Sequence, residues 1–477
     1  MTAKLSDSAR ELKSGRVARV FLFASVATIA APAFAHTSEG GFVLLLPTDL
    51  YIASGVLAVA MTVLLLVFLS DKLVAGIFRT FELWRAQVGW LSLATSLTST
   101  AFLLWLIFIG LNGPRDPLAN PLPLTVWTVW WVGLVFVQGF VGNVWQWIDP
   151  WRGAVWALRR VLGGRPIFRF PTFLGHWLGI LSFGGFAGFL LADIAPSDPA
   201  RLARVVALYW AVHFLGMALC GRRWSLRAEG IGMLMQLYAR LSPLGKRAKH
   251  TAIGLWGWQI AKGRQVPFGL AVMSLLLLGS GSFDGVNETF WWLAQLGINP
   301  LAFPGRSAVV WQTLTGLIVT NLLLLAIFVA ALWLGLKLSG VRKIGLADAF
   351  CIFAPAVLPI TLGYHFAHYF TSFLVEAQYA IIAATDPWAR GQDLLGLGEM
   401  YVTTGFFNVQ ESVRFLWLCQ AGGVVTGHII AVLLSHALAV RYLGTGRVAV
   451  ASQAPLALFM IGYTFFGLWL LASPRGF

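Results

Sequence analysis

Long apolar runs separated by short polar or basic connections dominate this 477-residue sequence. A helix needs roughly 20 mainly apolar residues to cross a bilayer, and all but one of the runs approach or exceed that length. The pattern predicts an all-α, polytopic transmembrane bundle of about ten helices. The expected spans are 50–69, 88–110, 124–145, 172–193, 203–221, 267–281, 310–335, 349–374, 415–440 and 452–472, of which 267–281 is the short one.

The first 35 residues have the organisation of a secretory signal peptide. Basic residues precede an apolar stretch from Val20 to Ala31, and Ala33-Phe34-Ala35 supplies the small residues that signal peptidase requires. We expect cleavage before His36, which leaves residues 36–477 as a single transmembrane helical domain. A free α-amino group and the His36 imidazole would then form a two-nitrogen chelate suited to copper, zinc or nickel.

Composition and charge support a membrane protein rather than a nucleic-acid-binding one. Hydrophobic residues make up 58% of the chain and charged residues 11%, and the net charge is +15. Most Lys and Arg fall in alternate connections, as the positive-inside rule requires, instead of forming one basic stripe. We therefore predict a multi-pass inner-membrane protein with both mature termini in the periplasm. Its expected partners are the lipid bilayer and a small apolar substrate or a metal ion, with no nucleic acid.

The connections themselves carry further expectations. Residues 71–86 and 228–262 mix apolar and basic residues, and we interpret them as positioned cytoplasmic loops, with amphipathic helices on the inner leaflet as the alternative. Segments 282–288 and 376–414 hold most of the acids predicted to lie outside. The three cysteines, Cys220, Cys351 and Cys419, have no metal-binding spacing and are interpreted as packing residues.

The candidate chemistry centres on His365 and His368, which lie inside an apolar run. At about 100° per residue they are about 60° apart on one helix face, with Ser372 and Glu376 within about 20° of His365. Polar side chains at this depth are costly unless they face a cavity, a partner or an ion. The pair therefore predicts either a metal or catalytic site, or hydrogen bonds between neighbouring helices.

Other histidines leave two arrangements open. His365 and His368 are predicted in the outer third of their span, whereas His213 and His428 are predicted near the midplane. A cluster near the outer face would suit a periplasmic site, and a series through the membrane would suit an ion pathway. The sequence has no Walker A loop, GxSxG elbow, HExxH motif or dinucleotide fingerprint, so ATP, NAD and serine-hydrolase chemistry have no support.

Several short motifs together resemble a family of bacterial multi-span membrane proteins known as fenitrothion hydrolases, which hydrolyse organophosphorus esters. The resemblance is spread over most of the mature chain. The family often has Asn where this chain has Asp149. The matching segments are Ala35-His36, Asn143-Val144-Trp145, Asp149-Pro150-Trp151-Arg152-Gly153, Ser282-Phe283-Asp284-Gly285, His365-Phe366-Ala367-His368-Tyr369-Phe370, Asp386-Pro387-Trp388-Ala389-Arg390-Gly391 and Gly427-His428.

The resemblance implies a metal-dependent hydrolase that acts on organophosphorus triesters or similar apolar esters. A metal held by imidazole nitrogen with an open position would supply both a nucleophilic water and a counter-charge. The expected ligands of a copper or zinc ion are His36, His365, His368 and His428. Asp284 or Glu376 would act as general base or orient an imidazole. The alternatives are transport or insertion of copper or another transition metal, and a non-catalytic membrane scaffold.

Overall fold

The computed structural model describes residues 43, 45–85, 89–164 and 166–474. The predicted signal peptide and His36 lie outside these residues. The helices are α1 (Thr48–Phe68), α2 (Asp71–Ile77), α3 (Leu91–Asn112), α4 (Pro121–Phe140), α5 (Trp145–Ile148), α6 (Arg152–Leu162), α7 (Trp177–Ala192), α8 (Pro199–Cys220), α9 (Arg222–Arg227), α10 (Gly230–Leu241), α11 (Trp258–Lys262), α12 (Phe268–Asn287), α13 (Phe290–Gln295), α14 (Val310–Ser339), α15 (Leu346–Phe353), α16 (Leu358–Thr385), α17 (Gln410–Tyr442) and α18 (Arg447–Ala472). The strands are β1 (Thr80–Arg85), β2 (Leu244–Arg247) and β3 (His250–Gly254).

The structure confirms an all-α polytopic bundle. Within the described residues nine helical segments are long and apolar enough to cross a bilayer, and α7 is a shorter apolar helix. One of the nine segments consists of α15 and α16, which are connected by the 3-10 turn Ala354–Val357. Together these segments correspond in order to the ten predicted runs. The shortest helix is not the predicted one. Helix α12, which covers the short run 267–281, has 20 residues, whereas α7 has 16.

Helix α12 extends beyond the predicted run, and this extension moves a candidate residue into the bundle. Gly279 to Asp284 interrupt the apolar pattern, and the sequence therefore predicted an outer connection over 282–288. In the structure these residues continue the helix to Asn287, and Asp284 is only 8% exposed. Small residues allow neighbouring helices to approach closely, so this polar stretch packs inside the protein rather than facing solvent.

Helix α10 corrects the interpretation of residues 228–262 as a positioned cytoplasmic loop. Its Met233, Leu234, Leu237 and Tyr238 are all at most 2% exposed and belong to the main core. The amphipathic pattern was visible in the sequence, but the apolar face packs on α7, α4 and α12 instead of lying on lipid. Residues 244–254 form a β-hairpin that continues with β1 as the antiparallel sheet β1-β3-β2.

Helices α16 and α17 pack closely through glycines. A side chain at Gly427 would bring its Cβ to 2.5 Å from the carbonyl oxygen of Pro359, and Gly363 lies equally tightly against Gly423. Such small-residue contacts are typical of helix packing in membranes. Helix α16 continues to Thr385, because residues 376–385 are rich in Ala and other helix-forming residues. His365 and His368 therefore lie near the middle of the helical run 346–385, whereas their predicted depth was counted from a span ending at residue 374.

The connections meet at two ends of the bundle in the predicted alternation. At one end the backbone N–H of Gly446 donates to Asp71, and Gly142 pairs with Leu244. At the other end Arg115 pairs with Asp198 at 2.7 Å, and the N–H of Phe290 donates to the carbonyl of Pro474. Each contact joins connections that the sequence assigns to the same side. The order of crossings is therefore reflected in the fold.

Candidate functional site

A small cavity lies among α7, α10, α12, α16 and the middle of α4. We call it the histidine cavity, because His365 and His368 line it together with Asp284 and Tyr369. Most of the remaining lining is apolar and includes Phe183 of α7. Its volume is about 40 Å³. One water needs about 10–15 Å³, so the cavity has room for about three.

His365 is anchored to a π-helical stretch of α4, Leu124–Leu134. Its Nε2 lies 2.9 Å from the carbonyl oxygen of Trp131, and the indole ring of Trp131 packs edge-on against the imidazole at 5.1 Å. A carbonyl oxygen only accepts hydrogen bonds, so Nε2 must carry the proton. In the neutral ring, Nδ1 therefore has a free lone pair. π-Helical segments occur frequently at functional sites.

His368 faces α12 rather than α4. Its Nε2 lies 3.1 Å from Oδ2 of Asp284, and the Tyr369 hydroxyl donates to the same carboxylate oxygen. His368 is 8% exposed, and its Nδ1 has no hydrogen-bond partner among the described residues. With the Nε2 proton donated to the carboxylate, Nδ1 is again the nitrogen that has a lone pair. Asp284 thereby fixes the tautomer and the orientation of this ring.

The two imidazoles share an arrangement that is common among metal ligands. A metal-binding histidine usually donates its other ring N–H to a carboxylate or a backbone carbonyl, which orients the ring and raises its basicity. His368 and His365 have these two kinds of partner, respectively. Within the described part of the chain, no group of three or more His, Cys, Asp or Glu side chains is placed to hold a metal ion. Two imidazoles line the cavity, so a metal ion bound there by both would complete its ligand positions with water.

The remaining predicted residues lie elsewhere or outside the described residues. Glu376 accepts a hydrogen bond from the Thr128 hydroxyl at 2.6 Å, so it does contact α4 on the same helix face as His365, as predicted. It does not line the histidine cavity. His428 donates from Nδ1 to the carbonyl of Val424 on its own helix and packs near Tyr463. His36 lies outside the described residues.

The two Asp-Pro-Trp motifs build turns. The backbone N–H of Trp151 donates to Asp149 at 2.9 Å, and its indole donates to the carbonyl of Trp210. In the second motif, the carboxylate of Asp386 accepts from the backbone N–H groups of Arg390 and Gly391. Neither motif contributes a residue to the lining of the histidine cavity. Their geometry explains why Asp and Pro occur together at these positions.

Two members of the site were missed from the sequence. Tyr369 follows His368 directly and supplies a second donor to Asp284, but an aromatic residue in a span usually predicts only packing. Trp131 acts through its backbone carbonyl, which no residue type can reveal. The sequence feature that pointed to α12 as part of the site was the Ser282-Phe283-Asp284-Gly285 motif. The structure places its Asp284 in α12 and in the cavity lining, whereas the sequence predicted it in an outer connection.

Comparison with known proteins adds no identification: no family model, no curated protein and no solved structure matches this chain.

Proposed function

We propose that this multi-pass membrane protein binds a transition-metal ion at His365 and His368 and carries it through, or delivers it within, the membrane. The observation that supports this proposal is the paired orientation of the two rings. Both use Nε2 to donate to fixed acceptors, Trp131 and Asp284, so both keep Nδ1 available as a ligand. Imidazole nitrogen suits copper or zinc, which enter here as cargo.

The size of the cavity favours an ion over an organic substrate. Its volume of about 40 Å³ accommodates an ion with a few waters. Small-molecule sites usually measure about 300–1,000 Å³, so an aryl phosphotriester requires the surrounding helices to separate. The ester hydrolase implied by the resemblance remains a prediction. Its proposed water activation would need the same two histidines, with Asp284 as the adjacent carboxylate.

Metal content provides the direct test of the proposal. We expect the His365→Gln, His368→Gln double variant to lose bound copper or zinc, because an amide can keep a hydrogen bond but is a poor transition-metal ligand. His428→Gln is the matched control, since His428 is also a buried histidine bonded to a backbone carbonyl but lies outside the cavity lining. Elemental analysis of the three purified proteins after exposure to each metal measures the occupancy.

Two further measurements separate the possible functions. Uptake of copper or zinc into proteoliposomes reports transport, and hydrolysis of an aryl phosphotriester by the same preparations reports the hydrolase. Equal metal content in the wild type and the double variant would contradict the metal proposal. Hydrolysis that depends on the two histidines, without metal uptake, would favour the enzyme instead.

We also propose that the Arg-rich end of the bundle faces the cytoplasm of a bacterial inner membrane. The exposed Arg222, Arg223 and Lys249 belong to connections at this end. The opposite end has Asp386 and Asp393 in an exposed loop. The concentration of Lys and Arg at one end follows the positive-inside rule, and it supports an orientation with both mature termini in the periplasm.

A further inference from the structure

A second polar cluster, partly buried, includes a residue of α7 but lies outside the lining of the histidine cavity. Its members are Ser182 of α7, Tyr209 and His213 of α8, Trp224 of α9 and Glu229, which precedes α10. Glu229 is 1% exposed and His213 is 5% exposed. None of the five lines the cavity, although Phe183, next to Ser182, does. Glu229 is the only acidic residue between Asp198 and Asp284 in the sequence.

The direction of each hydrogen bond in this cluster can be assigned from chemistry. The Trp224 indole can only donate, and it lies 3.0 Å from Nδ1 of His213, so Nδ1 must accept. In the neutral ring the proton is then on Nε2, which donates to Ser182 at 3.2 Å. Trp224 therefore sets the tautomer of His213.

The chain continues in the same direction to Glu229. Ser182 already accepts from His213 and from the backbone N–H of Gly230, so its own hydroxyl donates to Tyr209 at 3.0 Å. Tyr209 donates to Oε1 of Glu229 at 2.5 Å. The carboxylate also accepts from the backbone N–H groups of Ile231 and Gly232. Every donor in the chain has an acceptor when Glu229 is ionised.

We propose that Glu229 is a reversible proton-binding site, and that the hydrogen-bonded chain from Trp224 through His213, Ser182 and Tyr209 controls its proton affinity. The ligand is a proton, and its binding changes the carboxylate from negative to neutral. The site is independent of the metal proposal.

Protonation of Glu229 conflicts with the chain. A proton on Oε1 of Glu229 would face the Tyr209 O–H, so the hydroxyls of Tyr209 and Ser182 would have to reverse. Ser182 would then donate to Nε2 of His213, which requires the His213 proton to move to Nδ1. There it would meet the N–H of Trp224, and two donors would face each other. The Trp224 indole therefore opposes protonation of Glu229 at Oε1, although three side chains lie between the two residues.

The surroundings favour a titration in the physiological range. Burial raises the pKa of Glu229 to about 7, against the lowering produced by the hydrogen bonds from Tyr209 and Gly232. The negative charge of Asp149 raises the pKa further, and Arg152 neighbours Asp149. The positive charge of Arg227 in α9 acts on the His176 imidazole. In the cluster itself, the titratable groups that face Glu229 are Tyr209 directly and His213 through Ser182.

Infrared titration of the full-length protein in lipid nanodiscs tests the site. A carboxyl band that is present in the wild type and absent in Glu229→Gln belongs to protonated Glu229. The pH dependence of this band gives the pKa of Glu229. We expect a midpoint near neutral pH. In Trp224→Phe we expect the pKa of Glu229 to rise by about one unit, a tenfold increase in proton affinity, because the chain can now reverse.

Trp151→Phe is the matched control. The Trp151 ring also packs 6.1 Å from His213, but its indole donates to the carbonyl of Trp210 and not to the chain. We expect this variant to leave the pKa of Glu229 unchanged. Ser182→Ala provides a second variant in case Trp224→Phe does not fold. It interrupts the chain at its middle and leaves Tyr209 bonded to Glu229, and we expect the same upward shift.

The alternative is that Glu229 serves only as the N-cap of α10, since it accepts from two N–H groups of the first turn. A carboxylate that stays ionised between pH 5 and pH 9 would overturn the proposal in favour of that role. A neutral-range pKa that neither Trp224→Phe nor Ser182→Ala shifts, or that Trp151→Phe shifts equally, would overturn the assigned chain.

Discussion

Asp284 connects two side chains of the site through one carboxylate. It accepts from Nε2 of His368 at 3.1 Å and from the Tyr369 hydroxyl, and all three side chains line the cavity. A carboxylate bonded to a metal-ligating imidazole raises the basicity of the ring and holds it in one orientation. At the proposed metal site, Asp284 therefore has a positioning role rather than that of a ligand.

Replacement of Asp284 by Asn tests this role. The amide preserves the shape and one acceptor but removes the negative charge, so we expect metal affinity to fall by about 10- to 100-fold while the protein still folds. Titration of the purified protein with copper or zinc measures the affinity. Glu376→Gln is the control, because Glu376 lies on the same helix as His368 but bonds Thr128 outside the cavity. An equal loss in both variants would show a general effect on α16.

The histidine pair illustrates what a local pattern can predict. Spacing along one helix placed His365 and Glu376 on a common face, and both contact α4 in the structure. Spacing could not predict that His368 faces Asp284 on α12, since helix position along a chain does not determine which helices become neighbours. For the same reason His428 was grouped with the pair although it lies outside the cavity lining.

At the scale of helices, the contact between α16 and α17 depends on the absence of a side chain at Gly427. We expect Gly427→Ala to destabilise the protein by about 1–3 kcal/mol, because its Cβ would lie 2.5 Å from a backbone oxygen that cannot easily move. Gly422 of the same helix has open space around its Cβ position, so Gly422→Ala should be neutral or slightly stabilising. Thermal unfolding in detergent compares the two variants. Equal unfolding temperatures would contradict tight packing at Gly427.

The burial of helices was less predictable than their existence. The apolar runs located the spanning helices because a bilayer requires long apolar segments, whatever their neighbours. The sequence could not show that α10 and α12 form the centre of the bundle. A basic connection before α10 and the small polar residues of α12 both resemble solvent-exposed segments, but here they pack against other helices. Tertiary packing therefore determined the two main differences from the sequence prediction.

At the scale of the whole molecule, the contacts between connections divide the described chain into two ends. The hairpin β2–β3 pairs with β1 at the Arg-rich end, where Arg247 lies near Glu82. The loop after α16 packs at the other end, where the Trp388 ring meets Phe108. Exposed positions at the two ends, Lys249 and Leu394, should therefore always lie on opposite sides of the membrane.

Labelling with a membrane-impermeant maleimide tests whether the two ends lie on opposite sides of the membrane and which end faces out. In a background with Cys220, Cys351 and Cys419 replaced, we expect Leu394→Cys to react in intact spheroplasts, because we propose that its end faces the periplasm. Lys249→Cys should react only after the membrane is permeabilised, because the positive-inside rule predicts the basic connections in the cytoplasm. The reversed result would keep the fold and invert the orientation. Reaction of both cysteines in intact spheroplasts would mean that the chain crosses the membrane in a different order from the one its helices and their connecting contacts define.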